Sequence, residues 1–322
     1  MVLLHGYGAG LGFFFKNYGT LADWAGRKGT NVYAVDWLGM GRSARVPFNV
    51  TAKRTDVVAR VSEAESFFID SLEEWREKMG LEEMTIVGHS LGAYLSAAYA
   101  LKYPDRVNKL ILLSPAGVPR GPNHTEPSRE LTDEGSNPNG LHPSSPSDRS
   151  TQGKAEALRA EQKQTKQQES RSRRLLTYLW EEGWSPFQVV RSSLFLGPML
   201  VGKYSSRRFP SLDQEETKDV HDYLLNITLA KGSGEYCISH ILAPGAHARL
   251  PLVDRVHALR MPVTWVYGEH DWMDPLGGMQ AVQVMEQNGN RKVKMAVIPD
   301  AGHHCELLFF IVSLASLTHV RV

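Results

Sequence analysis

One stretch limits the folds open to this chain more than any other: MTIVGHSLGAYLSAAYALKYP, residues 84–104. A β-rich apolar run enters Gly88-His89-Ser90-Leu91-Gly92 and passes without a spacer into an Ala- and Leu-rich segment. Flanking glycines let the backbone turn sharply, so Ser90 is expected in a strained conformation with its hydroxyl held above a sheet. The N–H of Leu91, at the helix start, then faces any negative charge that develops beside Ser90. Strand, elbow and helix in this order make Ser90 a candidate nucleophile, with Gly88, His89 and Gly92 as the elbow.

Such an elbow needs a sheet around it, and the chain supplies one. Short apolar runs at 2–5, 31–37, 84–89, 107–114, 263–268 and 293–299 alternate with helical patterns. That alternation predicts an α/β fold, a mostly parallel sheet with helices on both faces. Ala64, Phe67, Phe68, Leu72, Trp75 and Met79 recur at helical spacing between the second and third runs, with Gly80 as the stop.

The alternation breaks after the fourth run. Residues 118–253 read as an insertion, so the core divides into a first part, 1–117, and a second part, 254–322. Within the insertion, 121–172 is rich in Pro, Ser, Gly, Asn and Gln and reads as largely disordered, while 173–250 reads as a helical cap. The stretch RSRR, 171–174, reads as a solvated helix start.

A serine nucleophile needs a base and an orienting acid, which in this architecture follow in the order Ser, Asp or Glu, His. VTWVYGEHDWMDP offers Asp271 at a strand end, with Asp274 as the alternative acid. VKMAVIPDAGHH offers His303 as the base, with His304 as its neighbour. Both loops fall at the carboxyl ends of strands, where sites in open α/β sheets assemble. In LLHGYGAGLG the N–H of Tyr7 is the second expected oxyanion donor beside that of Leu91. The competing reading of this glycine run, a dinucleotide fingerprint with Asp36 at the next strand end, fails on spacing. No ligand spacing supports a metal site from His5, His89, His270, Asp271 and His303, and no metal is expected.

Bulk properties narrow the partners. A formal net charge of +1 on 322 residues gives no electrostatic reason to expect nucleic acid. Two cysteines, Cys237 and Cys305, cannot form a disulfide framework, and Cys305 reads as filler beside the histidines. The longest apolar run, 307–317, is short for a membrane span. Asn226-Ile227-Thr228 matches a glycosylation acceptor by chance, since no secretory signal is visible. In the cap, SSLFLGPMLVGKYSSRRF places Lys203, Arg207 and Arg208 behind an apolar face, either as an anionic lipid-surface contact or as an ordinary cap helix with solvated charges.

VLLHGYGAGLGFF, VYAVDWLGMGRSAR, FIDSLEEWREKMGL, VGHSLGAYLSAAYALKYPDRVNKLILLSPAGVP and YGEHDWMD together resemble one branch of the α/β-hydrolase fold. That branch contains the N-acyl-phospholipid lysophospholipase/phospholipase B, the lipid-droplet lipase coactivator and the fungal cardiolipin-specific deacylases. The resemblance covers about residues 1–120 and 173–304. It implies deacylation of phospholipids or lysophospholipids, cardiolipin among them, by Ser90, Asp271 and His303 without a cofactor. It also implies an intracellular, peripheral place on a membrane or lipid droplet, with the mitochondrion as one organelle. The coactivator has lost its serine, whereas Ser90 is kept here, which favours an enzyme over a non-catalytic lipid-surface partner. Some members carry a His-x-x-x-x-Asp element linked to acyl transfer onto lysophosphatidic acid. Counting from His303 reaches Leu308 instead, so acyl transfer loses its usual support, and an acyltransferase or ester synthase on lysophosphatidic acid or an alcohol is kept as the alternative reading. Members also have antiparallel strands ahead of VLLHG and a different ending. The expectation is therefore a chain lacking the first strands, with the VYAVDW strand at an unprotected edge and an atypical tail from about 305. Oligomeric state is left open.

Overall fold

The computed structural model describes residues 1–121, 171–193, 196–208 and 212–304. The expected disordered insertion, except its ends, and the tail from 305 with Cys305 and Leu308 lie outside the described residues. By internal contacts the chain forms two units, one of Met1–Gly121 with Trp180–Val322 and one of Pro122–Leu179. Of the second unit only 171–179 are described, and they form most of helix α4, Arg171–Glu181.

All six expected strands form in the first unit: β1 (Val2–Leu4), β2 (Tyr33–Val35), β3 (Met84–His89), β4 (Val107–Leu113), and, after the cap, β7 (Val263–Gly268) and β8 (Val293–Ile298). They make one parallel sheet in the order β2-β1-β3-β4-β7-β8. β2 is an edge strand of this described sheet, and its three residues are only partly buried. The central strands are apolar on both faces because helices cover both faces. Val2, Leu4, Ile86, Leu110, Leu112 and Trp265 pack into one core cluster, while Leu3, Val87, Ile111 and Val266 pack into the cluster on the opposite side. That split is the period-2 alternation of side chains along a strand.

The covering helices are α1 (Tyr18–Lys28), α2 (Val57–Lys78), α3 (Leu91–Lys102) and α9 (Pro275–Gln287). α2 begins at Asp56, whose carboxylate accepts from the Ala59 N–H, and ends just before Gly80, which takes the left-handed conformation at φ 66°. Ala64, Phe68 and Leu72 are buried as expected, and Phe67 and Trp75 are partly so. Met79 differs: it lies past the last helical turn, where the face rotates away from the sheet, and is exposed.

α2, α3 and the segment after the cap are joined by a buried ionic cluster. Arg255 donates to both carboxylate oxygens of Glu65, at 2.6 and 3.0 Å, and the Tyr94 hydroxyl donates to the same group at 2.7 Å. Replacing Glu65 by Ala strands a mostly buried guanidinium and a fully buried phenol. The expected loss is about 3–5 kcal/mol of folding free energy, measurable as a lower denaturant midpoint with unchanged slope.

The segment read as a cap holds α5 (Pro186–Ser192), α6 (Gly197–Arg208), α7 (Gln214–Leu229) and the one-turn α8 (Ile238–Ile241). It also contains what the helical reading missed, an antiparallel pair of two-residue strands, β5 (Leu242–Ala243) and β6 (His247–Ala248). The Pro-Gly turn between them, with Gly245 at φ 88°, explains the hairpin. Val201, Leu224 and Ile227 of α6 and α7 pack on Ala9 and Phe13, so the cap rests on the loop that follows β1. Buried Glu235 fastens the cap from within. It accepts from Arg191 at 2.5 Å and from the Ser233 N–H at 2.8 Å, with Arg45 of the core at 4.0 Å. Among the described residues no helix is long and apolar enough to cross a membrane.

Candidate active site

Ser90 sits between β3 and α3 at φ 54° and ψ −119°, a conformation that L-residues adopt only when their surroundings enforce it. The enforcing contacts are visible at the neighbouring glycines. A methyl group at Gly92 would fall on the carbonyls of Leu4 and His5, and one at Gly88 on Ser96 and the backbone of α3. The helix start is therefore pressed against the end of β1, and only glycine fits at either side of the serine. The Ser90 N–H continues the sheet pairing by donating to the Leu113 carbonyl at 2.9 Å, and the Ser90 carbonyl accepts from Ala93 and Tyr94 to open the helix.

Two strand ends away, the loops after β7 and β8 bring the other residues to Ser90. His303 Nε2 lies 3.0 Å from Ser90 Oγ, and His303 Nδ1 lies 2.9 Å from Asp271 Oδ1. Since the carboxylate can only accept, Nδ1 carries the proton and Nε2 is the acceptor facing the serine hydroxyl. Asp271 is held by its own turn, accepting from the Met273 N–H at 3.0 Å. Burial raises its proton affinity, but the His303 hydrogen bond and charge, the Met273 N–H and the Ser114 hydroxyl outweigh this and hold its pKa below the ordinary 3.8. Asp274, the alternative acid, is committed elsewhere, since its carboxylate caps α9 by accepting from the Leu276 N–H at 2.9 Å. The His304 ring lies against Phe13 at 5.8 Å and His89 at 5.0 Å, and it is His303 that reaches the serine.

The loop after β1 closes the third side. A methyl group added at Gly6 would lie 2.9 Å from Ser90 Cβ, so the His5-Gly6-Tyr7 backbone runs against the serine. Leu91 opens α3 beside it and is buried. The Tyr7 ring stacks on Phe187 of the cap at 5.5 Å, and burial pushes its phenol well above the usual tyrosine range. Asp36, the strand-end residue of the rejected dinucleotide fingerprint, accepts from the backbone N–H groups of Leu11 at 2.6 Å and Arg42 at 2.8 Å, bracing the two loops. His5 is kept neutral: burial lowers its pKa, Nδ1 donates to the Gly6 carbonyl at 2.8 Å, and Nε2 accepts from the Trp37 N–H at 3.2 Å.

Two contributors, Ser114 and Trp272, escaped the sequence reading, and so did the role of His89, which it named only as part of the elbow. His89 Nε2 donates to the backbone carbonyl of His303 at 2.9 Å, tying the base to the elbow. Ser114, at the end of β4 with φ 46°, supports Asp271. Trp272, 60% exposed, lays its ring 5.0 Å from that of His303. The strained Ser-Pro step after β4 and the position of His89 before the nucleophile were the only signals in the chain order. Of the expected lipid-surface cations, Lys203 is exposed on α6, whereas the side chains of Arg207 and Arg208 lie outside what is described. A cavity of about 290 Å³ opens between the loop after β1 and α7, lined by Gly12, Phe13, Phe15, Val220 and Tyr223 with Glu216 and Asp219 at its edge.

Comparison with known proteins identifies the family. Residues 1–305 match the model of the alpha/beta hydrolase fold family. A probable 1-acylglycerol-3-phosphate O-acyltransferase of Oryza sativa subsp. japonica is 35% identical over 311 residues, covering 94% of this chain and 62% of that protein. Human 1-acylglycerol-3-phosphate O-acyltransferase ABHD5 is 30% identical over 94% of this chain and 72% of its own length. Human (lyso)-N-acylphosphatidylethanolamine lipase is 29% identical over 94% and 73%. The chain thus spans about 62–73% of the length of these relatives. Among solved structures, a bromoperoxidase from Bacillus anthracis superimposes with a TM-score of 0.57 at 16% identity, covering 99% of this chain and 91% of its own. At that identity the likeness speaks for the fold alone. The chain belongs to the α/β-hydrolase family, in the branch that holds the ABHD5 proteins and the (lyso)-N-acylphosphatidylethanolamine lipases.

Proposed function

We propose that the protein is a serine hydrolase that deacylates phospholipids or lysophospholipids, with Ser90 as nucleophile, His303 as general base and Asp271 as the orienting acid. The observation that carries the reading is the unbroken line from Ser90 Oγ to His303 Nε2 at 3.0 Å and from His303 Nδ1 to Asp271 at 2.9 Å. The substrate class rests on the lipase named among the relatives, and cardiolipin belongs to the range to be assayed.

In the proposed reaction Ser90 Oγ attacks the ester carbonyl as its proton passes to His303 Nε2. The N–H groups of Tyr7 and Leu91 receive the oxyanion, and buried Asp271 stabilises the imidazolium. Collapse breaks the ester C–O bond, and the proton moves from His303 to the departing lysolipid oxygen. Water then repeats the sequence on the acyl-Ser90 ester and releases a fatty acid. A peripheral station on a membrane or lipid droplet, the mitochondrial membrane included, and a contact through Lys203, Arg207 and Arg208 form part of the same proposal.

A second reading, transfer of the acyl group to a lysophosphatidic acid hydroxyl, is favoured by the names of the rice and ABHD5 relatives. Mass spectrometry decides between them. Purified protein is incubated with phosphatidylcholine, N-acylphosphatidylethanolamine or cardiolipin, with and without lysophosphatidic acid. Hydrolysis predicts free fatty acid and lysolipid in amounts that the acceptor does not change. Phosphatidic acid formed at the expense of free fatty acid would replace it by the transferase reading. Absence of either product, together with no labelling of Ser90 by a fluorophosphonate, would leave a non-catalytic lipid-surface protein.

A further inference from the structure

Beside the site lies an apolar ridge that the catalytic proposal does not use. Trp272, Leu276 and Met279 are 60%, 62% and 56% exposed. Leu276 and Met279 are three residues apart and share one side of α9, and Trp272 lies in the turn just before the helix. The other side of the same helix buries Gly277, Gly278, Ala281 and Met285 against the core. Three large apolar side chains in eight residues, at this exposure, exceed the scattered apolar groups of an ordinary surface. The group borders the site, because the Trp272 ring lies 5.0 Å from that of His303, tilted by 54°.

The charges around the ridge define what it can meet. Glu269, His270 and Asp300 are exposed and bring their polar atoms within 4.8 Å of one another. Asp274, also exposed, sits between Trp272 and Leu276. From Glu269 to Gln287 the chain has no Lys or Arg. An acidic rim repels anionic head groups and complements a surface whose outermost groups are cationic. A phosphatidylcholine layer is such a surface, with its quaternary ammonium groups outside the phosphates. The Trp272 face adds a preferred partner for a quaternary ammonium.

We propose that the Trp272–Leu276–Met279 ridge is the element by which the protein seats on a zwitterionic lipid surface, with Glu269, Asp274 and Asp300 meeting the ammonium groups. The proposal rests on a lipid ester being the substrate, and it replaces the Lys203, Arg207 and Arg208 contact as the lipid seat, since those cations would favour anionic lipid. Seating the ridge places the lipid head groups beside the His303 loop, so an ester need travel only a short way to Ser90.

The test uses vesicles of diether phosphatidylcholine, which has no ester to cleave, so binding is read without turnover. With EDTA present to keep cations off Glu269, His270 and Asp300, the intact protein is expected to float with these vesicles. The Leu276→Ser/Met279→Ser double variant, its thermal midpoint unchanged, should lose at least about tenfold in partitioning. Replacing a third of the lipid by phosphatidylglycerol should weaken binding of the unaltered protein, a measurement that needs no variant. Undiminished binding of the folded double variant, or binding that strengthens with phosphatidylglycerol, overturns the proposal. Binding as expected in a protein that cleaves no lipid ester would overturn the hydrolase reading and leave the seat intact.

Discussion

Ser90→Ala is expected to lower ester hydrolysis by at least about 10⁴-fold and to abolish fluorophosphonate labelling, with the protein folded as before. The rate loss follows from geometry: Ser90 Oγ is the hydroxyl 3.0 Å from the acceptor nitrogen of His303. A second substitution at the same position separates chemistry from strain. Ser90 is held at φ 54° and ψ −119°, where a Cβ is costly, so Ser90→Gly should be as inactive as Ser90→Ala yet more stable by about 1 kcal/mol or more. Stopped assays on a soluble short-chain ester measure the first effect, and urea titration of the two variants measures the second. Hydrolysis by Ser90→Ala at the rate of the unaltered protein would sink the nucleophile assignment.

What the sequence makes legible here is whatever a local rule governs. The six strands are short apolar runs bounded by turns, and the elbow is a pattern whose glycines are dictated by backbone contact at Leu4, His5 and Ser96. Asp271 and His303 were found because they end strands in the right order. The bonds between distant residues were not legible, because nothing in residue type distinguishes them. His89 reads as an elbow filler until its donation to the His303 carbonyl, 214 positions away, is seen. Nothing in the sequence marks Trp272 as exposed beside the base, and Asp274 competes with Asp271 until it is found capping α9. The β5–β6 hairpin was lost for a different reason: two residues per strand are too few to display an alternation.

Asp271→Asn tests the part of the site that the sequence left most open. The carboxylate accepts from His303 Nδ1 and so fixes the tautomer in which Nε2 is free to take the serine proton. An amide at this position can turn its NH₂ toward Nδ1, which moves the ring proton to Nε2 and leaves nothing to accept from Ser90. Even with the amide oxygen facing Nδ1, the imidazolium formed during attack loses its buried counter-charge. The expected loss is on the order of 10⁴-fold in kcat with little change in KM, since the side chain is fully buried and does not meet substrate. Asp274→Asn, which removes an exposed charge and keeps an oxygen for the helix cap, should leave kcat on a soluble ester within a fewfold of the unaltered protein. The pH dependence adds a check of sign. The Asp271 carboxyl titrates below its ordinary 3.8 in the folded protein, so its favourable contribution to stability is complete above about pH 4 and is lost as the pH falls through the folded value. A loss of 10⁴-fold in Asp274→Asn with Asp271→Asn nearly unaffected would reverse the assignment of the acid.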